Sequence, residues 1–224
     1  MRCLAVGDIH GCFDALQLLF QYAKIEDRDQ VVFLGDYVDR GPDSARVIQF
    51  LIERLSVGNT VCLRGNHELM MENARLSLPS RQAWAMVGGD ATWDSYSGLY
   101  KGEGLEAVPE SHWDFLSRLA PYYETNENIF VHASIDAELD MADQFEDMLY
   151  WGSFSSIGPH HSGKKVICGH TSQKSGLPNN SGHAVCIDTW ACGNGWLTCL
   201  DVHTLEYWQA NQAGETRSSC LEKS

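Results

Sequence analysis

The chain is short of positive charge, with 16 Lys and Arg against 30 Asp and Glu, a net charge of -14 over 224 residues. That balance excludes a broad electrostatic footprint for nucleic acid or for an anionic membrane surface, both of which need clustered cations. An anionic substrate would have to be met by local arginines or bound cations. Long apolar runs are missing too. Nothing approaches the roughly 20 apolar residues of a membrane span, and the opening Met1-Arg2-Cys3-Leu4-Ala5-Val6 meets Asp8 and His10 before it reaches the length of a signal-peptide core. A soluble, cytoplasmic protein is the expectation. Close cysteine pairing is also absent: Cys3, Cys12, Cys62, Cys168, Cys186, Cys192, Cys199 and Cys220 form no CxxC. Several of them lie in apolar runs, where a free thiol packs as a small hydrophobe, so reduced thiols are expected rather than a disulfide framework. No repeat, low-complexity tract or linker divides the chain, which predicts one α/β domain over residues 1–210 and a loosely held polar tail over 211–224.

What is present is an alternation of strand and helix signals. Arg2 to Val6, Gln30 to Leu34 and Thr60 to Leu63 read as strands. Between them, Phe13 to Ala23 sets Phe13, Leu16, Leu19, Phe20 and Ala23 on one helical face, and Ser44 to Leu55 does the same with Val47, Ile48, Leu51, Ile52 and Leu55. The βαβαβα order predicts parallel strands with helical crossovers. Residues 79–121, rich in tryptophan and glycine, read as a helical, cap-like insertion. Beyond them Asn128 to His132, Lys165 to Gly169, His183 to Asp188, Trp196 to Val202 and Leu205 to Gln209 are strand candidates. Two packed sheets with helices outside accommodate both halves.

Polar residues fall where the strands end. Gly7-Asp8-Ile9-His10-Gly11, Gly35-Asp36-Tyr37-Val38-Asp39-Arg40-Gly41 and Gly65-Asn66-His67-Glu68 each follow a strand, and two later strands run into His132 and His170. The carboxyl ends of parallel strands share an edge where ligands bind, so all five segments can converge. Asp8, His10, Asp36, Asn66, His132 and His170 offer oxygen and imidazole donors, a set suited to manganese, iron or zinc. Two divalent ions would use it fully, with Asp8 and His10 on one, Asn66, His132 and His170 on the other, and Asp36 bridging. A single Gly-Asp or Gly-His at a strand end is commonly just a turn. Five such segments are not explained by turn chemistry, because buried, unpaired charge is strongly destabilising.

GDIHG, GDYVDRG, RGNHE, the VHAS segment and CGHT, in this order, resemble the signature of the phosphoprotein phosphatase branch of the calcineurin-like metallophosphoesterases, and most of all the small bacterial and phage Ser/Thr phosphatases. IDTWACGNGW, Ile187 to Trp196, is similar to their closing strand and turn. The resemblance implies a central two-sheet β-sandwich flanked by helices, with a dinuclear centre at its edge, manganese being the expected metal and iron or zinc the alternatives. It also implies in-line attack on phosphorus by a metal-activated water, with Arg40 on the phosphoryl oxygens, Asn66 and Arg64 toward the substrate, and His67, oriented by Asp39, protonating the leaving group.

Departures from the pattern bear on the substrate. An arginine expected shortly after a tryptophan is replaced in Tyr150-Trp151-Gly152-Ser153 by Ser153. Ser134 stands where glycine or aspartate is frequent, and Arg64 reads equally as a support for RGNHE. His160-His161 with Lys164-Lys165 reads as a solvated loop, His183 as structural, and Trp84, Trp93 and Trp113 as packing. The expected activity is that of a Ser/Thr protein phosphatase acting on a phosphorylated protein or peptide. The alternative is a symmetrical diadenosine tetraphosphate hydrolase acting on a dinucleoside polyphosphate, a family that usually has alanine at the position of Asp39 and aspartate at that of Glu68. A catalytically silent phosphoprotein-binding scaffold is disfavoured because every ligand and both acid-dyad residues are retained.

Overall fold

A computed structural model describes residues 1–222. Eleven strands and seven α-helices are formed among these residues. β1 (Cys3–Val6), β2 (Gln30–Phe33) and β3 (Thr60–Cys62) are parallel, linked by α1 (Phe13–Tyr22) and α2 (Ser44–Ser56). After β3 come α3 (Asn66–Asn73), α4 (Leu78–Trp84), a π turn over Ala85–Gly89, α5 (Asp90–Leu99) and α6 (Glu110–Ser117). The second half contains β4 (Tyr122–Glu124), β5 (Asn128–Val131), α7 (Glu146–Trp151), β6 (Lys165–Cys168), β7 (Asn179–Asn180), β8 (Ala184–Cys186), β9 (Leu197–Asp201), β10 (Glu206–Ala210) and β11 (Thr216–Cys220).

Two sheets result, ordered β11-β10-β9-β1-β2-β3 and β4-β5-β6-β8-β7. Each holds three parallel strands, β1-β2-β3 in one and β5-β6-β8 in the other, with antiparallel strands at its flanks. The strands read as unbroken apolar runs because both faces are covered. Ala5, Val32, Leu34, Phe130, Ile167 and Val185 point between the sheets. Their neighbours Leu4, Val6, Val31 and Phe33 pack under the helices of the first sheet, while Ile129, Val131, Val166 and Cys168 pack under α7 and its loops. A one-residue slip in any strand would exchange these faces, so the register is fixed from both sides.

The 79–121 segment is continuous with the main core: Trp84, Tyr96, Leu105, Trp113 and Leu116 share one cluster with Leu4, Val6 and Phe33. The 211–224 tail is corrected in part. Thr216–Cys220 pairs antiparallel with β10 as an edge strand, and Arg217 donates to Gln209 Oε1 at 2.6 Å. An exposed edge strand needs no apolar run, so nothing in the polar composition of this stretch marked it; residues 223–224 lie outside the described residues. All eight cysteines are unpaired, and six are buried. No described helix is long and apolar enough to cross a membrane.

The register of β1 against β2 is pinned at its amino end. Asp29 accepts from the Arg2 guanidinium at 2.5 Å, from the Arg2 N–H at 3.2 Å and from the Glu26 N–H at 3.1 Å. Burial pushes this carboxyl up, but the Arg2 guanidinium and the two backbone donors outweigh it and hold the group at about 2. Because the folded value lies below the ordinary aspartate range, the contribution is complete above about pH 4 and lost as pH falls toward 2. Asp29→Asn is expected to cost about 2 kcal/mol at pH 7 in urea unfolding, with the gap to the parent protein closing on acidification; a gap independent of pH would refute the pairing.

Candidate metal centre

The carboxyl ends of β1, β2, β3, β5 and β6 meet at one edge of the sandwich, and the loops leaving them take unusual backbone conformations. Eight non-glycine residues have positive φ among the described residues, and five of them are His10, Asp36, Asp39, Arg40 and His170. The left-handed region costs an ordinary side chain of order 1–3 kcal/mol, so its concentration here marks a site at which the surrounding structure dictates the backbone.

Glu68 does much of the dictating. From the first turn of α3, its two oxygens accept the N–H groups of Asp36 (2.9 Å), Tyr37 (2.7 Å) and Gly65 (2.9 Å), binding the loop after β2 to the loop after β3. Gly65 permits the approach: a Cβ there would lie 2.2 Å from Asp36 Oδ1.

Asp36 is buried with three imidazoles around it: His132 Nε2 at 3.4 Å, His10 Nε2 at 3.5 Å and His67 Nε2 at 4.0 Å. Burial alone would raise its carboxyl; His132, His67 and His10 outweigh that and hold it below the ordinary range. Each ring is oriented from its far side. His10 Nδ1 donates to Val38 O at 2.8 Å, and His132 Nδ1 to Leu34 O at 2.9 Å, so both Nε2 lone pairs point inward. Burial also pulls His10 down to about 3 and His170 to about 4, leaving both neutral near pH 7.

The donor atoms fall into two groups sharing Asp36: His10, Asp36 and His67, then Asp36, His132 and His170, each within 4.8 Å. Asn66 Oδ1 lies 3.0 Å from His132 Nε2 and 3.1 Å from His170 Nδ1. With the His132 ring proton committed to Leu34, Asn66 Oδ1, His132 Nε2 and Asp36 Oδ1 approach one another as acceptors. Convergent oxygen and imidazole lone pairs in a buried pocket are the electrostatic complement of a divalent cation, and the residues fit one.

A second arrangement adjoins the first. His67 Nδ1 donates to Asp39 Oδ2 at 2.6 Å. Asp39 is completely buried and also accepts from Trp84 Nε1 at 2.9 Å and Thr92 Oγ1 at 2.8 Å. Burial disfavours the imidazolium of His67, but Asp36 and Asp39 outweigh it and raise the ring's pKa. Arg40 joins two rings of the first group, donating Nη1 to His10 Nε2 at 2.6 Å and Nη2 to His67 Nε2 at 2.8 Å. A model of the calcineurin-like phosphoesterase family matches residues 1–176.

The chain belongs to that family. The His and Asp groups placed for metal binding all lie within the matched residues. Serine/threonine-protein phosphatase 1 of Salmonella typhimurium strain LT2 is 42% identical over 86 residues, 38% of this chain and 38% of that protein. The symmetrical bis(5'-nucleosyl)-tetraphosphatase of Erwinia tasmaniensis is 31% identical over 144 residues, 63% of this chain and 47% of the relative. The aligned regions thus span less than half of either relative. A solved structure assigned as a diadenosine tetraphosphatase superposes with a TM-score of 0.68 at 18% identity, over 100% of this chain and 95% of that one, a likeness of fold.

Within this metallophosphoesterase, most of the residues expected from sequence come together. Asp36, His10, Asn66, His132, His170, His67, Asp39 and Arg40 form one continuous cluster. Asp8 is buried beside it but accepts the His170 N–H at 3.0 Å, as a buried carboxylate takes the nearest donor. Burial, then Asp188 and Asp36, raise its carboxyl well above the ordinary range. Arg64 is the exception. Its Nη2 donates to Leu116 O at 2.9 Å and its Nη1 lies 3.6 Å from Glu72, so the guanidinium supports α6 and α3 instead of facing a substrate. Trp84 and Thr92 carry more than packing, since both serve Asp39; no local signal links them to it across 45 and 53 residues.

Glu68→Gln retains shape but sets an amide NH₂ against backbone donors. It is expected to cost about 1–3 kcal/mol for the unsatisfied groups, read as a lower urea midpoint at constant m value. An unchanged midpoint would mean that the clamp contributes nothing.

Proposed function

We propose that this metallophosphoesterase is a phosphomonoesterase with phosphoserine and phosphothreonine proteins as its substrates. Asp8, His10 and Asp36 would hold one divalent ion, and Asp36, Asn66, His132 and His170 a second, with manganese the expected metal. When bound, such ions supply Lewis acidity at the phosphoryl oxygens and lower the pKa of an attacking water.

The observation that carries the substrate reading is the His67–Asp39 contact at 2.6 Å, with Asp39 locked by Trp84 and Thr92. An alkoxide is a poor leaving group, and Asp39 presents His67 so that Nε2 can hand it a proton. Arg40 couples binding to this step. Its Nη2 occupies the His67 Nε2 lone pair at 2.8 Å, and a phosphoryl group that takes the guanidinium frees Nε2 to carry a proton. Asp39 replaces the alanine expected of the symmetrical tetraphosphatases, and Glu68 their aspartate. The 31% identity to the Erwinia tetraphosphatase supports a second reading, hydrolysis of dinucleoside polyphosphates.

Turnover of a phosphothreonine peptide, diadenosine tetraphosphate and an aryl phosphate by manganese-loaded protein tests the choice, with kcat/KM expected to be highest on the peptide. A preference for the tetraphosphate would select the second reading. Asp36→Asn is expected to lose bound metal, read by elemental analysis, together with nearly all activity. His67→Asn should lower kcat on the alkyl phosphopeptide by about 10²–10⁴-fold and on an activated aryl ester far less. Equal losses would remove His67 from the role of acid.

A further inference from the structure

The family resemblance implies a second guanidinium at the position of Ser153, so a dianionic phosphoryl group would meet one, Arg40, in a chain of net charge -14. The cations borne on the loops of the metal edge are few. Arg40 faces His10 and His67, and Arg64 is spent on Leu116 and Glu72. Lys174, four residues after His170, is exposed and has no carboxylate or hydrogen-bond partner among the described residues. Its Nζ instead lies 5.7 Å from the centroid of the Trp190 ring, within the range of a cation–π contact.

Trp190 is held in place at a cost. Its φ is +66°, an outlier for a bulky side chain. Its N–H donates to Asp188 Oδ1 at 3.0 Å and its carbonyl accepts from Gly193 (3.0 Å) and Gly195 (3.2 Å). The ring lies so close over Gly193 that a Cβ there would come within 2.2 Å. Strain persists where the surroundings over-determine it, and it clusters at ligand clamps. Asp188 also fixes the lysine's loop, accepting Ser172 Oγ at 2.6 Å on its carboxylate and the Gln173 N–H at 2.8 Å on its carbonyl.

Three contacts join the loops that carry this pair to the metal edge. Ile187 O lies 2.4 Å from where a Gly7 Cβ would stand, so the loop before Asp188 rests on the Asp8 loop. Phe154 N–H donates to Thr171 Oγ1 at 3.0 Å, tying the turn that begins at Ser153 to the loop bearing Lys174. Further along, burial raises the Cys192 thiol while the neighbouring Arg40 guanidinium opposes it, which sets the far end of the Trp190 loop beside Arg40.

We propose that Lys174, braced on the Trp190 ring, is the second cation for the reacting phosphoryl group, in place of the guanidinium that Ser153 does not supply. The assignment rests on the phosphoester-hydrolase reading of the metal edge. Lys174 gives a point charge where a guanidinium would give a fork, so it serves the charge of a phosphoryl group more than its orientation.

The test is calorimetric binding of inorganic phosphate to manganese-loaded protein, with metal content measured alongside. Lys174→Met is expected to weaken phosphate by roughly tenfold or more, the scale of one charge-assisted hydrogen bond, and to raise KM for an aryl phosphate in parallel. Lys174→Arg should restore most of the loss. Trp190→Gly, which keeps the left-handed backbone and removes the ring, should give an intermediate loss; unaltered binding would overturn the bracing role. Phosphate binding within twofold of the parent in Lys174→Met, at unchanged metal content, overturns the proposal. A loss confined to diadenosine tetraphosphate overturns it as well, because Lys174 would then grip a distal phosphate. If the parent protein hydrolyses no phosphoester while its phosphate affinity still depends on Lys174, the proposed function falls, and Lys174 is a phosphate ligand with no reacting group to serve.

Discussion

The carboxylate of Asp36 lies buried among His10, His67 and His132, with Asn66 joined to the group through His132 and His170. A buried charge survives only when it is matched; the His67 N–H donates to Asp36 Oδ1 at 3.1 Å, and the lone pairs gathered around it from loops of both sheets leave the rest of the match to a cation. Glu68 is the counterpart in the backbone: by taking N–H groups from two loops at once it sets the position of Asp36 before any side chain of the centre is considered. The strained φ values of His10, Asp36, Asp39, Arg40 and His170 follow from this requirement, since donors from separate strands must be turned toward one volume.

Much of that arrangement is legible in the amino-acid sequence because its physical cause is local. Apolar runs such as Val31 to Leu34 are continuous since both faces of the sheets are covered, and the glycine-flanked polar residues stand directly at the strand ends. Position in the chain therefore announces position in the fold for β1 to β3, β5, β6, β8, β9 and β10. β11 escaped because an edge strand that is solvated on one side can be built from Thr, Arg and Ser. β4 and β7 are three and two residues long, too short to show a period.

The support of the centre is a different matter. Trp84 and Thr92 reach Asp39, Leu116 claims the guanidinium of Arg64, and Asp188 draws Ser172 and Trp190 together, all through contacts that depend on tertiary placement. Arg64 illustrates the limit well. Its place in the RGNHE motif is correct, but the direction of a long side chain is settled by whichever carbonyl and carboxylate lie within reach, and those belong to α6 and α3. Residues 79–121 likewise read as an addition to the domain while supplying Trp84, Tyr96 and Trp113 to its main core.

The division of the donors between the two sheets has a kinetic side. Asp8, His10, Asp36 and Asn66 follow strands of the first sheet, His132 and His170 strands of the second, and the contacts that join them span 66 to 162 residues. Such closures are made late, because the entropy of the intervening chain must be overcome before they contribute. A cation gripped from both sides would act as a rivet available only once the sheets have docked, and its binding energy would be withheld from partly assembled chains and fall to the finished fold.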